Sequence, residues 1–262
     1  MEPREVDWEA RGDGPPVVFV HSDVADRRLW AAQAEALGAA HRVVLYDRPG
    51  YGRTPLPPGP FSEVEDLRGL LDRAGHERAA VVASSGGGRI AVEFALAYPR
   101  RVDRLVLVAA ALRGWPSSAA LEAADDEESR LFDAGEYEAA AELNVRLWAD
   151  GTREAGAAPE LVRDYVREAT LRSYELWLAA ERKGEVGPAE RLDPPALERL
   201  GEIEAPTLVV VGAADQPDFL ALADHLASAI PGSLGVVVPD AAHLLPLERP
   251  AELTRLLMEF LA

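Results

Sequence analysis

Ala79-Ala80-Val81-Val82-Ala83-Ser84-Ser85-Gly86-Gly87-Gly88 is an apolar, β-rich run that stops at a polar, glycine-rich turn. The apolar residues are continuous rather than alternating, as in a strand of a parallel sheet covered on both faces. Gly88 to Tyr98 then carries helical spacing and ends before Pro99. A direct strand-to-helix turn forces its central residue into strained backbone geometry and lifts that side chain above the sheet. Small neighbours are needed two positions either side, where the strand and helix backbones nearly touch, and Ala83 and Gly87 provide them around Ser85. A plain phosphate-binding turn is the alternative. It is disfavoured because the stretch lacks the lysine of a P-loop and the spacing of a dinucleotide fingerprint.

On either side the same alternation continues. Val17–Val20, Arg42–Tyr46 and Leu105–Val108 read as further buried strands, with helices at Arg27–Leu37 and Val64–Ala74 between them. Strand, helix, strand, helix implies a right-handed parallel α/β sheet. The pattern breaks from about Ala111 to Leu200, where no strand is expected. Helical spacing covers Glu136–Ala149 and Pro159–Arg182, the latter with a packing stripe of Val162, Val166, Ala169, Ser173, Leu176 and Ala180. This stretch holds 20 acidic and 11 basic residues, half of the chain's net charge of −18. The alternation resumes with strands at Thr207–Val211 and Leu234–Val238 and helices at Asp218–Ser228 and Pro250–Leu261. The expected fold is α/β: a mostly parallel central sheet flanked by helices (residues 1–110 and 201–262) with an all-helical cap inserted at 111–200.

Composition narrows the function. The chain has 262 residues, 48% of them hydrophobic, and no cysteine, which excludes thiolate catalysis, cysteine zinc sites and a disulfide framework. With 27 basic against 45 acidic residues it offers no cluster suited to a phosphate backbone or an anionic membrane surface. We therefore expect no nucleic-acid or membrane partner. No apolar run approaches the roughly 20 residues of a membrane span. Met1-Glu2-Pro3-Arg4-Glu5 does not open like a secretory leader, so a cytoplasmic protein is expected. Oligomeric state is not legible.

A serine hydroxyl needs a base, usually histidine, and an acid to orient that base. Of five histidines, His41 and His76 precede strands at the far edge of the sheet and His225 sits within a helix. His21 and His243 follow strands, at the edge where Ser85 emerges. Asp215 follows the strand Thr207–Val211 at that same edge. Asp218 is the second candidate, although it could equally cap the next helix. The order Ser85, Asp215, His243 is the one associated with a serine elbow on an α/β sheet.

Several linked segments resemble the α/β-hydrolase family over nearly the whole chain. His21 to Trp30 is similar to its oxyanion loop, Asp47-Arg48-Pro49-Gly50-Tyr51-Gly52-Arg53-Thr54 to its Asp-x-x-Gly-x-Gly-x-Ser/Thr turn, and Asp240 to Pro250, with Glu248-Arg249-Pro250, to its histidine segment. The resemblance implies an oxyanion hole built from the backbone N–H groups of Gly86 and Asp23, with Ser22 as the fallback. Two departures stand out. Ser22 replaces the usual glycine, and an acidic Asp23 would not help a developing oxyanion, so its side chain is expected to turn away and cap the helix from Arg27. His21 is expected to anchor the loop rather than act as a base. Many relatives open with a two-strand hairpin; here there is room for one strand at Arg4–Glu9, which leaves about seven in all.

Ser85 at the elbow makes the aspartate chemistry of haloalkane dehalogenases and typical epoxide hydrolases inapplicable. Acyl transfer on a small-molecule ester or lactone fits, with Ser85 as nucleophile, His243 as base and Asp215 as orienting acid; it needs no metal or organic cofactor. Within the family, His21 to Trp30 looks most like the 3-oxoadipate enol-lactonase branch. That branch's substrate is a small anion, for which Arg113 or Arg146 would have to supply a cation. C–C bond hydrolysis, cofactor-free perhydrolysis, and a non-catalytic binding role on the same fold are the alternatives. The pocket is expected between cap and sheet, with His21, Ser22, Trp115, Asn144, Trp148 and Trp177 as candidate walls and Arg89 as a further residue within reach.

Overall fold

The computed structural model describes the whole chain except residues 57, 185 and 191. Its centre is a seven-stranded sheet of β1 (Trp8–Arg11), β2 (Pro16–Val20), β3 (Arg42–Tyr46), β5 (Ala79–Ser84), β6 (Val102–Val108), β8 (Thr207–Gly212) and β9 (Leu234–Val238), in the order β1-β3-β2-β5-β6-β8-β9. Only β1 runs antiparallel, Trp8 pairing with Tyr46. It begins later than the expected Arg4–Glu9. The amide of Arg4 donates to Asp66 and that of Asp7 to Thr54 Oγ1, so these amides are taken by side chains, and the backbone contact just before β1 is Asp47 N to Asp7 O at 3.0 Å.

Every residue of β5 and β8 is buried, which is why their sequences read as unbroken apolar runs. Successive residues serve opposite faces. Val18, Val81, Leu105 and Val209 pack with α2 (Glu63–Arg73), α3 (Gly86–Ala97) and α7 (Pro217–Ala229). Val17, Val82, Val106 and Val210 pack with α1 (Ala31–Leu37) and α9 (Pro250–Leu261). β9 lies at an edge and leaves Leu234 and Val237 exposed.

Between β6 and β8 come α4 (Ala119–Asp133), α5 (Tyr137–Asn144), a π-helical turn (Val145–Asp150) and α6 (Glu160–Glu181). This stretch is not free of strand. β7 (Val186–Ala189) pairs in parallel with β4 (Gly59–Phe61). Gly187 permits the pairing, since a Cβ there would overlap the backbone of Gly59. A run containing glycine and proline carries no alternation by which to recognise it. A short helix α8 (Leu245–Glu248) follows β9. Among the described residues no helix is long and apolar enough to cross a membrane.

β2 connects to β3 on one side and the chain returns to β5 on the other. The strand order reverses between β2 and β5, and ligands of open α/β sheets bind beyond the carboxyl ends of strands at such a point.

Candidate active site

Ser85 occupies the turn between β5 and α3 with φ +50° and ψ −120°. The strain is held from several sides: its amide donates to Val108 O (3.1 Å), and its carbonyl accepts from Gly88 (2.7 Å) and Ala111 (2.9 Å). Gly87 has no room for a side chain, because a Cβ would lie 2.6 Å from His21 O and 2.7 Å from Val20 O. That contact is the close approach of α3 to β2 anticipated from the small residues.

Beyond the carboxyl ends of β8 and β9, His243 Nδ1 lies 2.9 Å from Asp215 Oδ2 and 3.1 Å from Oδ1. Both side chains are fully buried. Gln216 N also donates to Asp215 Oδ1 at 2.7 Å, leaving that carboxylate fixed in orientation. The histidine ring packs in a three-ring cluster with Trp148, at 4.7 Å between centroids, and Phe219, at 4.6 Å edge-on, which also touch each other at 5.5 Å. Behind it the carboxylate of Glu248, itself paired with Arg153 at 2.7 Å, accepts the amide of Ala242 at 3.1 Å. Asp218 does not meet His243 and does not cap α7. Its carboxylate accepts from Ser118 N and Ser118 Oγ (2.9 Å for the hydroxyl), tying the start of α4 to α7.

Ser85 and His243 open onto one cavity of about 610 Å³ roofed by α4, α5, α6 and the π-helical turn. The serine hydroxyl makes no hydrogen bond among the described residues; such contacts commonly tighten only when substrate is bound. Asn144, Trp148 and Trp177 lie on the cavity wall, whereas His21, Ser22 and Trp115 do not. Trp115 stacks on His225 at 5.0 Å instead. His21 is engaged at both ring nitrogens. Nε2 accepts from Arg48 N at 2.9 Å, so Nδ1 carries the hydrogen and donates to Ser22 O at 2.8 Å. Burial, with Arg48 adding to it, pushes the His21 pKa down from 6.5 to about 4, so the ring is a neutral anchor. None of the three arginines considered lines the cavity. Arg89 pairs with Glu63 at 2.6 Å, Arg146 donates to the carbonyls of Gly151 and Arg153, and Arg113 donates to that of Glu190.

Asp23 behaves unlike the expectation. The helical turn from Arg27 is capped by Asp26, which accepts from Arg28 N at 2.8 Å. Asp23 faces the cavity and its carboxylate lies against Gly86. It accepts from Arg48 Nη1 at 2.8 Å and Tyr51 OH at 3.2 Å. Loss of solvation alone would raise its pKa, but the guanidinium groups of Arg48 and Arg89 hold it below the ordinary value. Arg48 is itself buried and also pairs with Glu63 at 2.9 Å. Asp23 is therefore the cavity-facing end of an ionic network that runs behind the wall through Arg48, Glu63 and Arg89, of which sequence reasoning weighed only the first and last. The signal for Arg48 lies in the Asp47–Thr54 turn. Asp47 accepts the amides of Arg27 and Arg53, both at 2.9 Å, and Gly52 has no space for a Cβ beside that carboxylate, so the turn aims Arg48 inward.

Tyr174 and Phe219 were also missed as lining residues. Thr170, Ser173, Tyr174, Trp177 and Glu181 all line the cavity and share one face of α6. The sequence stripe drew attention to the neighbouring, apolar face. Of the described lining residues, Asp23, Asp125, Glu128, Asp133 and Glu181 are acidic and none is arginine or lysine.

A family model for the alpha/beta hydrolase fold matches residues 15–250. The chain belongs to the α/β-hydrolase family. A thermophilic esterase from Thermogutta terrifontis is 30% identical, with a TM-score of 0.79 over 98% of this α/β-hydrolase and 92% of that chain. A 2-hydroxy-6-oxononadienedioate/2-hydroxy-6-oxononatrienedioate hydrolase of Cupriavidus pinatubonensis is 30% identical over 94% of this chain and 86% of its own length. An enol-lactonase from Burkholderia xenovorans, 24% identical with a TM-score of 0.75 over 98% of this α/β-hydrolase and 96% of that chain, shares the fold.

Proposed function

We propose that this α/β-hydrolase cleaves a carboxylic ester or lactone through an acyl-enzyme on Ser85. The observation that carries the reading is the buried Asp215–His243 pair facing, across one cavity, a serine held at positive φ. Ser85 Oγ attacks the carbonyl carbon and His243 takes its proton. The alcohol leaves with that proton, or stays tethered if the substrate is a lactone. Water then attacks the acyl-enzyme by the reverse proton path and frees the acid. Asp215 holds the imidazole tautomer. The backbone N–H groups of Gly86 and Asp23 receive the oxyanion, each such donor being worth about 3 kcal/mol. The stretch 111–200 acts as a cap that sets which esters fit, and the protein works on a small molecule in the cytoplasm.

The acidic wall favours this reading over C–C hydrolysis of a dioate such as the one named for the Cupriavidus relative. Two substrate carboxylates would face five acidic side chains and, among the described residues, no arginine or lysine. The same argument sets aside the small anion of the enol-lactonase branch.

The test is intact-mass labelling with a fluorophosphonate beside Ser85→Ala and His243→Ala. One adduct on the native protein, lost in both variants, is expected, followed by turnover on an ester and lactone panel. A native protein that takes no label would put a non-catalytic binding role in its place.

A further inference from the structure

Two features outside the reacting groups meet on the α4–α6 wall of the cavity. The first is charge. Asp125, Glu128 and Asp133, all on α4, line the wall, and none of them has an ion pair among the described residues. Glu128 accepts hydrogen bonds from Asn144 Nδ2 at 2.8 Å and Tyr174 OH at 2.6 Å, so its carboxylate is fixed in place by neutral donors. The second is aromatic. Phe132 and Tyr174 line the same cavity and meet edge-to-face at 5.0 Å between centroids. Ring faces beside carboxylates are the surroundings in which an organic cation is held best.

We infer that the substrate carries an organic ammonium group remote from its reacting carbonyl, held by Asp125, Glu128 and Asp133 against Phe132 and Tyr174. The inference rests on the hydrolase reading only for which bond is broken; the cation site stands on the cavity itself. A metal ion is the poorer occupant, because among the described residues no group of three or more histidine, aspartate or glutamate side chains has the geometry to hold one. Charge crowding supports the assignment. Burial, then Glu128 and Asp126, push the Asp125 carboxyl above its ordinary value, and a bound cation would relieve that repulsion.

The test separates binding from turnover. Three amides of one shape serve as non-reacting probes: N-(5-aminopentyl)acetamide is cationic, N-hexylacetamide neutral and 6-acetamidohexanoate anionic. Calorimetric titration is expected to give the cation about tenfold tighter binding than the neutral probe. The anion should bind more weakly than either. The preference should shrink in the Asp125→Asn/Asp133→Asn double variant and as salt rises from about 10 mM to about 500 mM. A cationic probe that fails to bind, binds no better than the neutral one, or keeps its preference in the double variant would overturn the inference. Turnover of the matching esters, 5-aminopentyl acetate and hexyl acetate, reports separately on Ser85. Cation binding without turnover of either would refute the hydrolase reading and leave the cation site intact.

Discussion

The carboxylate of Asp23 occupies the space in which a side chain on residue 86 would stand, so that a Cβ built on Gly86 overlaps it. The two residues proposed to lend their amides to the oxyanion thus also exclude each other's side chains. Gly86→Ala should lower kcat for a neutral ester about a hundredfold, because Asp23 must shift and take its amide with it. Asp23→Ala added to Gly86→Ala should restore most of that loss. Steady-state kinetics of the two single variants and the double variant checks this, and simple additivity of the two effects would refute it.

Asp23 also places an ionised group beside the proposed oxyanion. Asp23→Asn should raise kcat on a neutral ester about three- to tenfold, since charge builds on the substrate oxygen only in the transition state. The same change should cost about 1–2 kcal/mol of stability, less than a fully buried pair, because the Asp23 side chain is half-exposed and Arg48 keeps Glu63. Urea unfolding measured beside kcat gives both signs, and a slower enzyme would show that the carboxylate assists the reaction.

Glu248 touches His243 only through the backbone. Its carboxylate holds the amide of Ala242, the residue before the histidine. Glu248→Ala should lower kcat about 10- to 100-fold with little change in KM, because misplacing a base by a fraction of an ångström suffices. Glu248→Gln keeps an acceptor for Ala242 N and should recover part of the loss. A KM effect as large as the kcat effect would move Glu248 from positioning the histidine to binding substrate.

His21 makes stability depend on pH. Its folded-state pKa of about 4 lies below the ordinary 6.5, so on acidification the unfolded chain takes the proton first. The contribution is complete above pH 6.5 and is lost as pH falls toward about 4. The advantage of the native protein over His21→Gln should therefore shrink by about 2 kcal/mol between pH 7.5 and pH 5. Comparing the two proteins by urea unfolding at each pH cancels the other titrating groups, and a pH-independent difference would contradict the assignment.

The strands were legible because each central one is buried on both faces and tells this by composition alone. Leu234–Val238 and the helix Pro250–Leu261 fall at the residues read from sequence. The geometry around Ser85, Asp215 and His243 was legible too, because strand ends at one edge of a parallel sheet are near each other in any such fold. What lies above the sheet was not. α4 is rich in aspartate and glutamate, and only two of its fifteen residues are buried, so periodicity gave no sign of it. The cavity face of α6 is polar and aromatic, and it was masked by the apolar stripe beside it. The Asp23 side chain could not be oriented, because its direction depends on Arg48 and Tyr51, which come from a different loop.

The turn that follows the π-helical segment is wedged into the site. Gly151 leaves no room for a side chain against the carbonyl of Ala214 and the Cβ of Ala242 (2.7 Å for the latter), and Thr152 N donates to Ala214 O at 2.9 Å. Those contacts bolt the roof to the loops that present the acid and the histidine. A side chain added at residue 151 would therefore have to displace the roof and the loop bearing Asp215 together, so neither can be loosened at this point without the other.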